Sequence, residues 1–238
     1  MENLFALEKE ITSVEIDFKL DTKLSYLFLF FQEIASRHSD ILGCGRSATT
    51  EKGLHWVITR FSVDIIKAPR YGDKVIVKTY PGDNNVSFFY RYFLIEDLKG
   101  NVLVKASSVW LVLDAKTGMI KKKPFGELEV PMCHLEDELP LPNKVDVVDG
   151  ELLYKKIVRY SDVDLNNHLN NTRYIELIQD AFDEDYLKDH QIKSITINYV
   201  AEIKEKDEVE IYKSTSNPYV IIGKVNSKVH FVAELLFK

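Results

Sequence analysis

In the stretch Ser161–Glu176, SDVDLNNHLNNTRYIE, an Asp, two Asn and a His stand at alternate positions: Asp164, Asn166, His168 and Asn170. Directly behind them Tyr174, Ile175, Ile178, Ala181 and Phe182 recur at helical spacing, and either Asn170 or Asn171 can serve as N-cap. The polar set is therefore gathered where a helix begins. A helix start carries unpaired backbone N–H groups and a partial positive charge, which suit an oxygen that gains negative charge during a reaction. The plainer reading is that Asn and Asp only cap and turn the chain, with His168 a satisfied turn residue.

The elements that must position this turn occur twice. Val14–Leu20 alternates as a strand does, and a helix over Asp21–Arg37 follows whose apolar residues run almost all the way round, as in a helix buried on every side. After a loop with Gly43, Gly45 and Gly53 come strand-like segments Leu54–Ile65, Lys74–Tyr80, Val86–Glu96 and Val102–Leu113. His134–Gly150, acidic and carrying Pro140 and Pro142, reads as a connector. Beyond it lie strand Leu153–Tyr160, the Asp164–His168 turn, a helix over Asn170–Leu187, and strands Ser194–Ile203, Glu208–Lys213, Tyr219–Val225 and Lys228–Phe237. The chain thus divides into residues 1–133, a connector 134–150, and residues 151–238.

An offset of about 140 positions brings the halves into register, with Phe61 on Tyr199 and Phe18 on Val158. Asp164, Asn166 and His168 then fall on Leu24, Tyr26 and Phe28. Bulk replaces the polar set in the first half, so one active site per chain is expected. Leu24, Leu27, Phe28 and Phe31 are the candidates to line an apolar pocket there.

Composition excludes several classes. The 238 residues are 45% apolar, enough for a sizeable core, and the formal net charge of −6 argues against a nucleic-acid partner. Two cysteines, Cys44 and Cys133, make neither a disulfide framework nor a metal-ligand spacing. There is no Gly-rich phosphate loop, no G-x-S-x-G elbow and no metal spacing, so nucleotide chemistry, serine hydrolysis and a metal site are not expected. The acidic start MENLFALEKEITS lacks a basic n-region, and the apolar run Tyr26–Phe31 is far short of the ~20 residues of a membrane span. A cytoplasmic protein without membrane insertion is expected. Lys121–Lys123, Lys155–Lys156 and Lys67 with Arg70 are basic spots that either meet an acidic partner or are ordinary solvated loops.

Three blocks carry a family resemblance: WVITRFSVDIIKAPRYGDKVIVKT (Trp56–Thr79), FLIEDLKGNVLVKASSVWLVL (Phe93–Leu113), and the D-x-N-x-H-x-N-N-x-x-Y segment Asp164–Tyr174. In this order the chain resembles the fatty acyl-ACP thioesterases, the bacterial relatives of the plant plastid enzymes. The resemblance implies an α+β tandem double hot-dog, each half a long central helix wrapped by a curled antiparallel sheet. It also implies hydrolysis of the thioester of fatty acyl-ACP without a cofactor. The partner is then an acyl carrier protein, with homodimer formation left open.

The family's catalytic Glu matches Glu202 in ITINYVAEIKEKDEV, joining Asp164, Asn166 and His168. Without the resemblance Glu202 reads as a solvated strand end. An older family scheme places a cysteine directly after that Glu, where this chain has Ile203, so a cysteine nucleophile is not expected. Helix-start N–H groups with the Asn166 amide would polarise the thioester. His168 and Glu202 would activate water, or Glu202 would attack directly, with Asp164 orienting its neighbours. An acyl-CoA thioesterase and a non-catalytic acyl-binding protein on the same scaffold are the alternatives.

Overall fold

The chain in the computed structural model, which describes residues 3–84, 87–122, 128–132, 139 and 141–238, begins with strand β1 (Phe5–Glu10), then helices α1 (Leu24–Ile41) and α2 (Arg46–Glu51). Strands β2 (Leu54–Ile65), β3 (Lys74–Asn84), β4 (Phe89–Asp97) and β5 (Val102–Asp114) complete the first half. The second half repeats the order with β6 (Glu151–Ile157), α3 (Asn171–Gln179), α4 (Glu184–Asp189), β7 (Ile192–Tyr199), β8 (Glu208–Lys213), β9 (Tyr219–Val225) and β10 (Lys228–Phe237).

All ten strands join one antiparallel sheet in the order β1-β3-β4-β5-β2-β7-β10-β9-β8-β6, whose second half mirrors the first. The seam is β2 against β7, where Arg60 faces Asn198, Asp64 faces Ser194, and Ser62 meets Thr196 with the two hydroxyls 2.8 Å apart. Each half thereby covers an edge that the other would leave unpaired. The connector crosses this seam: Val145 N–H donates to Asn198 Oδ1 at 2.8 Å, and Asn198 Nδ2 donates to the Asn143 carbonyl at 3.0 Å.

Helix α1 buries Leu24, Leu27, Phe28, Phe31 and Ile34 against the first five strands. Phe28 packs on Phe61 with ring centroids 4.7 Å apart, and Phe31 packs on Phe93 at 5.0 Å. Each such side chain contributes ~1.5–3 kcal/mol of burial, so the aromatic wall between helix and sheet is the main cohesion of this half. Helix α3 buries Tyr174, Ile175, Leu177 and Ile178 in the same core and packs against α1.

Several boundaries differ from the sequence-based expectation: β3 (Lys74–Asn84), β4 (Phe89–Asp97) and β6 (Glu151–Ile157) shift by a few residues, and four other differences have a local reason. Val14–Leu20 is not a strand. Glu15 accepts the Thr12 N–H at 2.7 Å and the Thr12 hydroxyl at 2.9 Å, winding Ser13–Glu15 into a 3-10 turn and leaving Val14, Phe18 and Leu20 exposed. The first strand is instead β1, whose Phe5 pairs with Thr79 of β3.

The second-half helix stops at Gln179 and restarts at Glu184, because Asp183 caps a new turn by accepting Tyr186 N–H at 2.7 Å. The break sinks Phe182 into a cluster with Tyr186, Tyr219 and Phe237. β7 ends at Tyr199, so residues 200–203 form a loop rather than the end of a strand. Helix α1, by contrast, outruns its expected end and closes through Gly43 at φ +70°, a conformation glycine adopts without a Cβ clash. Asn85, Val86, Lys123, Cys133, the 134–138 part of the connector and Pro140 lie outside the described residues. Among the described residues no helix is long and apolar enough to cross a membrane.

Candidate active site

Asp164 ties the polar turn together. Its N–H donates to the His168 carbonyl at 2.8 Å, and its Oδ1 accepts the Asn166 N–H at 2.8 Å and, more weakly, the His168 N–H at 3.4 Å. Asn167 takes the left-handed corner at φ 63°, a conformation Asn tolerates better than most residues. The turn ends at Asn170, whose Oδ1 caps α3 by accepting the N–H and hydroxyl of Thr172, both at 2.9 Å. Asn171 N–H, the next donor at the helix start, meets no acceptor among the described residues. It is free for an incoming oxygen.

The loop after β7 is stitched to this turn. Leu169 N–H donates to the Ile203 carbonyl at 2.7 Å, and His168 and Lys204 form an isolated β-bridge. That register puts Glu202 Oε2 3.0 Å from His168 Nε2. The Glu202 side chain is 54% exposed and that of His168 28%, so water reaches the pair. Asp164, Asn166, His168 and Glu202 therefore stand in one place, although Glu202 is far along the chain.

One member of the cluster was not visible in the sequence. Arg46, the first residue of α2 in the other half, donates from Nη1 to Asn166 Oδ1 at 3.1 Å. A guanidinium only donates, so this contact settles which end of the Asn166 amide is oxygen and turns Nδ2 toward Asp164 Oδ2, 3.4 Å away. Nothing in the segment GCGRSATT announces this role, which depends on how the halves dock.

A small apolar pocket lies between α1, the sheet and the start of α3. Phe28, Phe31 and Ala35 of α1, Phe61, Phe93 and Trp110 of the sheet, and Asn171 and Tyr199 of the second half line it. Leu24 and Leu27 are fully packed in the core and are not among its lining residues. Of the four side chains expected to line a pocket, the structure places Phe28 and Phe31 on it. One helical turn beyond Ala35 the interior becomes polar, where Arg91 donates to His38 Nδ1 at 3.2 Å and to Ser39 Oγ at 3.0 Å. Burial, with the neighbouring guanidinium, lowers the His38 pKa to about 4 and keeps it neutral.

The model described as the acyl-ACP thioesterase N-terminal domain matches residues 2–124, and that described as the acyl-ACP thioesterase C-terminal domain matches residues 149–234. The chain belongs to the acyl-ACP thioesterase family. A palmitoyl-acyl carrier protein thioesterase of Arabidopsis thaliana is 30% identical over 212 residues, 82% of this chain and 51% of that protein. A dodecanoyl-[acyl-carrier-protein] hydrolase of Cinnamomum camphora is 27% identical over 204 residues, 79% of this chain and 53% of that protein. The chain spans about half the length of the curated relatives it matches.

Among solved structures, an acyl-ACP thioesterase from Bacteroides thetaiotaomicron superposes with a TM-score of 0.93 at 24% identity, covering 99% of this chain and 98% of that one. The 12:0-ACP thioesterase from Umbellularia californica superposes at 0.85 and 21% identity, covering 99% and 97%. The fold is the tandem double hot-dog of this family, with the second central helix short and broken.

Within this member of the family the first half builds the same turn, and its true register corrects the one read from the sequence. Ile16 bridges Thr22 as Val163 bridges Leu169, Asp17 N–H donates to the Asp21 carbonyl as Asp164 N–H does to His168, and Leu20 takes the left-handed corner at φ 67°. Asp17 thus corresponds to Asp164, Lys19 to Asn166 and Asp21 to His168. Leu24, Tyr26 and Phe28 are not the counterparts. Opposite the Lys204 bridge stands Arg70, which puts Ala68 where the second half has Glu202. The first half has replaced the His–Glu pair with an Asp21–Arg70 ion pair at 3.3 Å, not with apolar bulk. Pattern matching slid past this because β-strand and helix lengths differ between the halves.

The older cysteine scheme of the family finds no thiol here: Ile203 is fully buried, and Cys44 is buried in the first half with its thiol pKa raised by burial. Cys133 is outside the described residues. Of the basic spots, Lys155 is held by Glu208 and Glu210, Lys121 by Asp114, and Arg70 by Asp21.

Proposed function

We propose that this protein hydrolyses the thioester of fatty acyl groups carried on acyl carrier protein, releasing the free fatty acid. The observation that carries the proposal is the His168–Glu202 pair at 3.0 Å, on the turn that leads into α3, whose first residue Asn171 has a free N–H and lines an apolar pocket. An acyl chain lying in the pocket would bring its carbonyl to the helix start, where the Asn171 N–H and the Asn166 amide can take up negative charge on the oxygen. Water held by Glu202 and His168 attacks the carbonyl carbon, and its proton passes to the pair. The C–S bond breaks, and the thiolate of the carrier's prosthetic arm leaves with a proton from His168. Direct attack by Glu202 would instead expel the carrier thiolate and give an acyl anhydride, which water then opens to the free acid and the Glu202 carboxylate.

Acyl carrier protein as partner agrees with the names of the relatives, which are acyl-ACP hydrolases and thioesterases. No cofactor enters this scheme. A cytoplasmic location and self-association into a homodimer belong to the same proposal. Hydrolysis of a ladder of acyl-ACP substrates, run beside the matching acyl-CoA ladder, tests it: turnover of acyl-ACP at higher kcat/KM is expected. Preference for acyl-CoA would reassign the carrier, and no turnover of either would leave an acyl-binding protein.

A further inference from the structure

Tyr199 ends β7 and lines the pocket beside Asn171. Its hydroxyl is the one buried side-chain oxygen or nitrogen among the described residues that has no hydrogen-bond partner. Burial, and then the nearby Tyr174, push its pKa well above the usual phenol value, so it stays a protonated donor. Packing does not explain the oxygen. The ring meets Tyr174 edge to face at 5.2 Å, and a Phe would make the same contact. A buried hydroxyl without a partner forfeits the hydrogen bond it had to water in the unfolded chain, so Tyr is the worse choice for the empty pocket.

The position narrows what the partner is. Asn171 is the first residue of α3, and Tyr174, against which Tyr199 packs, lies near the Ile203 backbone and Glu202. Tyr199 therefore lines the pocket where it meets the start of α3, the end at which the scheme above places the thioester. We infer that the Tyr199 hydroxyl donates a hydrogen bond to an oxygen at the thioester end of the bound acyl group, completing a donor set begun by the Asn171 N–H. This rests on the thioester-hydrolase reading above. Two sources share this chemistry: the thioester carbonyl itself, or an oxygen on carbon 3 of the chain. A site that offers a hydrogen bond discriminates strongly against a ligand that cannot take it.

The test compares wild type with Tyr199→Phe on a saturated acyl-ACP and its 3-hydroxyacyl counterpart, measuring kcat and KM separately. Thermal melting and calorimetric binding of the two free fatty acids accompany it. Tyr199→Phe should melt at or above the wild-type temperature while losing function about tenfold, the size of one hydrogen bond. If the thioester carbonyl is the partner, kcat falls on both substrates with KM and acid binding little changed. If a 3-oxygen is the partner, only the 3-hydroxyacyl substrate and the 3-hydroxy acid lose. Rates and affinities within twofold throughout, or a lower melting temperature, would overturn the inference. A wild type that turns over no acyl thioester would instead remove the proposed function, and the acid-binding comparison would still report on Tyr199.

Discussion

The two halves build one turn twice and use it differently. In the second half Asp164 holds a corner that offers Asn166 and His168 to Glu202. In the first half Asp17 holds the same corner, but Lys19 and Asp21 replace the amide and the imidazole, and Asp21 is satisfied by Arg70. Lys19 reaches the other half, donating to the carbonyls of Leu187 at 2.6 Å and His190 at 3.3 Å at the end of α4. The backbone scaffold of a site is thus preserved where its chemistry is gone. What the first half supplies is the pocket wall along α1. Rate is assigned to one half and fit to the other, and that division can be broken experimentally.

The largest effect should come from the dyad. His168→Ala and Glu202→Gln are each expected to lower kcat by at least ~10²-fold, the usual size of an acid–base contribution, with melting temperatures near wild type. The matching first-half variants Asp21→Ala and Arg70→Ala should leave kcat within about twofold, because this ion pair, with Arg70 exposed and Asp21 half-buried, stands where the first half carries no His–Glu pair. Equal losses from both sets would mean that the two turns act together and that the division is wrong.

Arg46→Ala comes next. Among the described residues the Arg46 guanidinium hydrogen-bonds Asn166, so its removal frees the amide to flip or drift, and about a 5- to 10-fold fall in kcat with KM little altered is expected for one lost polar contact of ~1 kcal/mol. Arg46→Lys, which can still donate, should recover part of the rate. A change confined to KM would make Arg46 a binding contact for the carrier rather than a positioning residue.

How much of this was legible beforehand follows the physical range of each feature. Asp164, Asn166, His168 and the α3 cap lie within one turn, where local backbone chemistry dictates the outcome, and their spacing is readable. Glu202 was reachable only through the family resemblance, since a Glu before Ile203-Lys204 looks like any solvated chain segment. The repeat of elements was visible because alternation and helical periodicity survive sequence divergence. Its register was not, because Lys19, Leu20 and Asp21 share backbone geometry with Asn166, Asn167 and His168 but not side-chain character, and the Asp17–Asp164 identity is a single residue. Arg46 joins the site only through the docking of the two halves at the β2–β7 seam and the α1–α3 contact, and Tyr199 only through its packing on Tyr174 of α3, which no local pattern encodes. The break between α3 and α4 was missed because Ala181 and Phe182 keep helical periodicity; the Asp183 cap overrides it.

The pocket wall gives a smaller and more selective effect. Phe28→Ala and Phe31→Ala should shift the preferred acyl length upward, as each further methylene accommodated is worth ~0.8 kcal/mol, close to fourfold in kcat/KM. Leu27→Ala, whose side chain is buried off the pocket, should cost ~2–5 kcal/mol of stability and leave the length profile alone. Profiles measured across C8 to C18 acyl-ACP check both. A shift produced by Leu27→Ala and not by Phe28→Ala would place the chain on the other face of α1.

The smallest effect tests what became of the spent turn. Lys19 sets a positive charge against the C-terminal carbonyls of α4, where the helix dipole is negative, and so links the halves at a point far from the dyad. Lys19→Met keeps most of the aliphatic stem and removes the charge and its donors. The expected loss is ~1 kcal/mol, which in a chain of this size lowers Tm by about 2–4 °C. kcat should stay within about twofold and the length profile should not move, since the contact touches neither Asn166 nor the pocket. High salt should shrink the Tm difference only slightly, because Lys19 Nζ is held in direct hydrogen bonds rather than by long-range attraction. An unchanged Tm with a clear fall in kcat would show that the first-half turn still serves the reaction, and the comparison between the halves would have to be redrawn with Lys19 on the catalytic side.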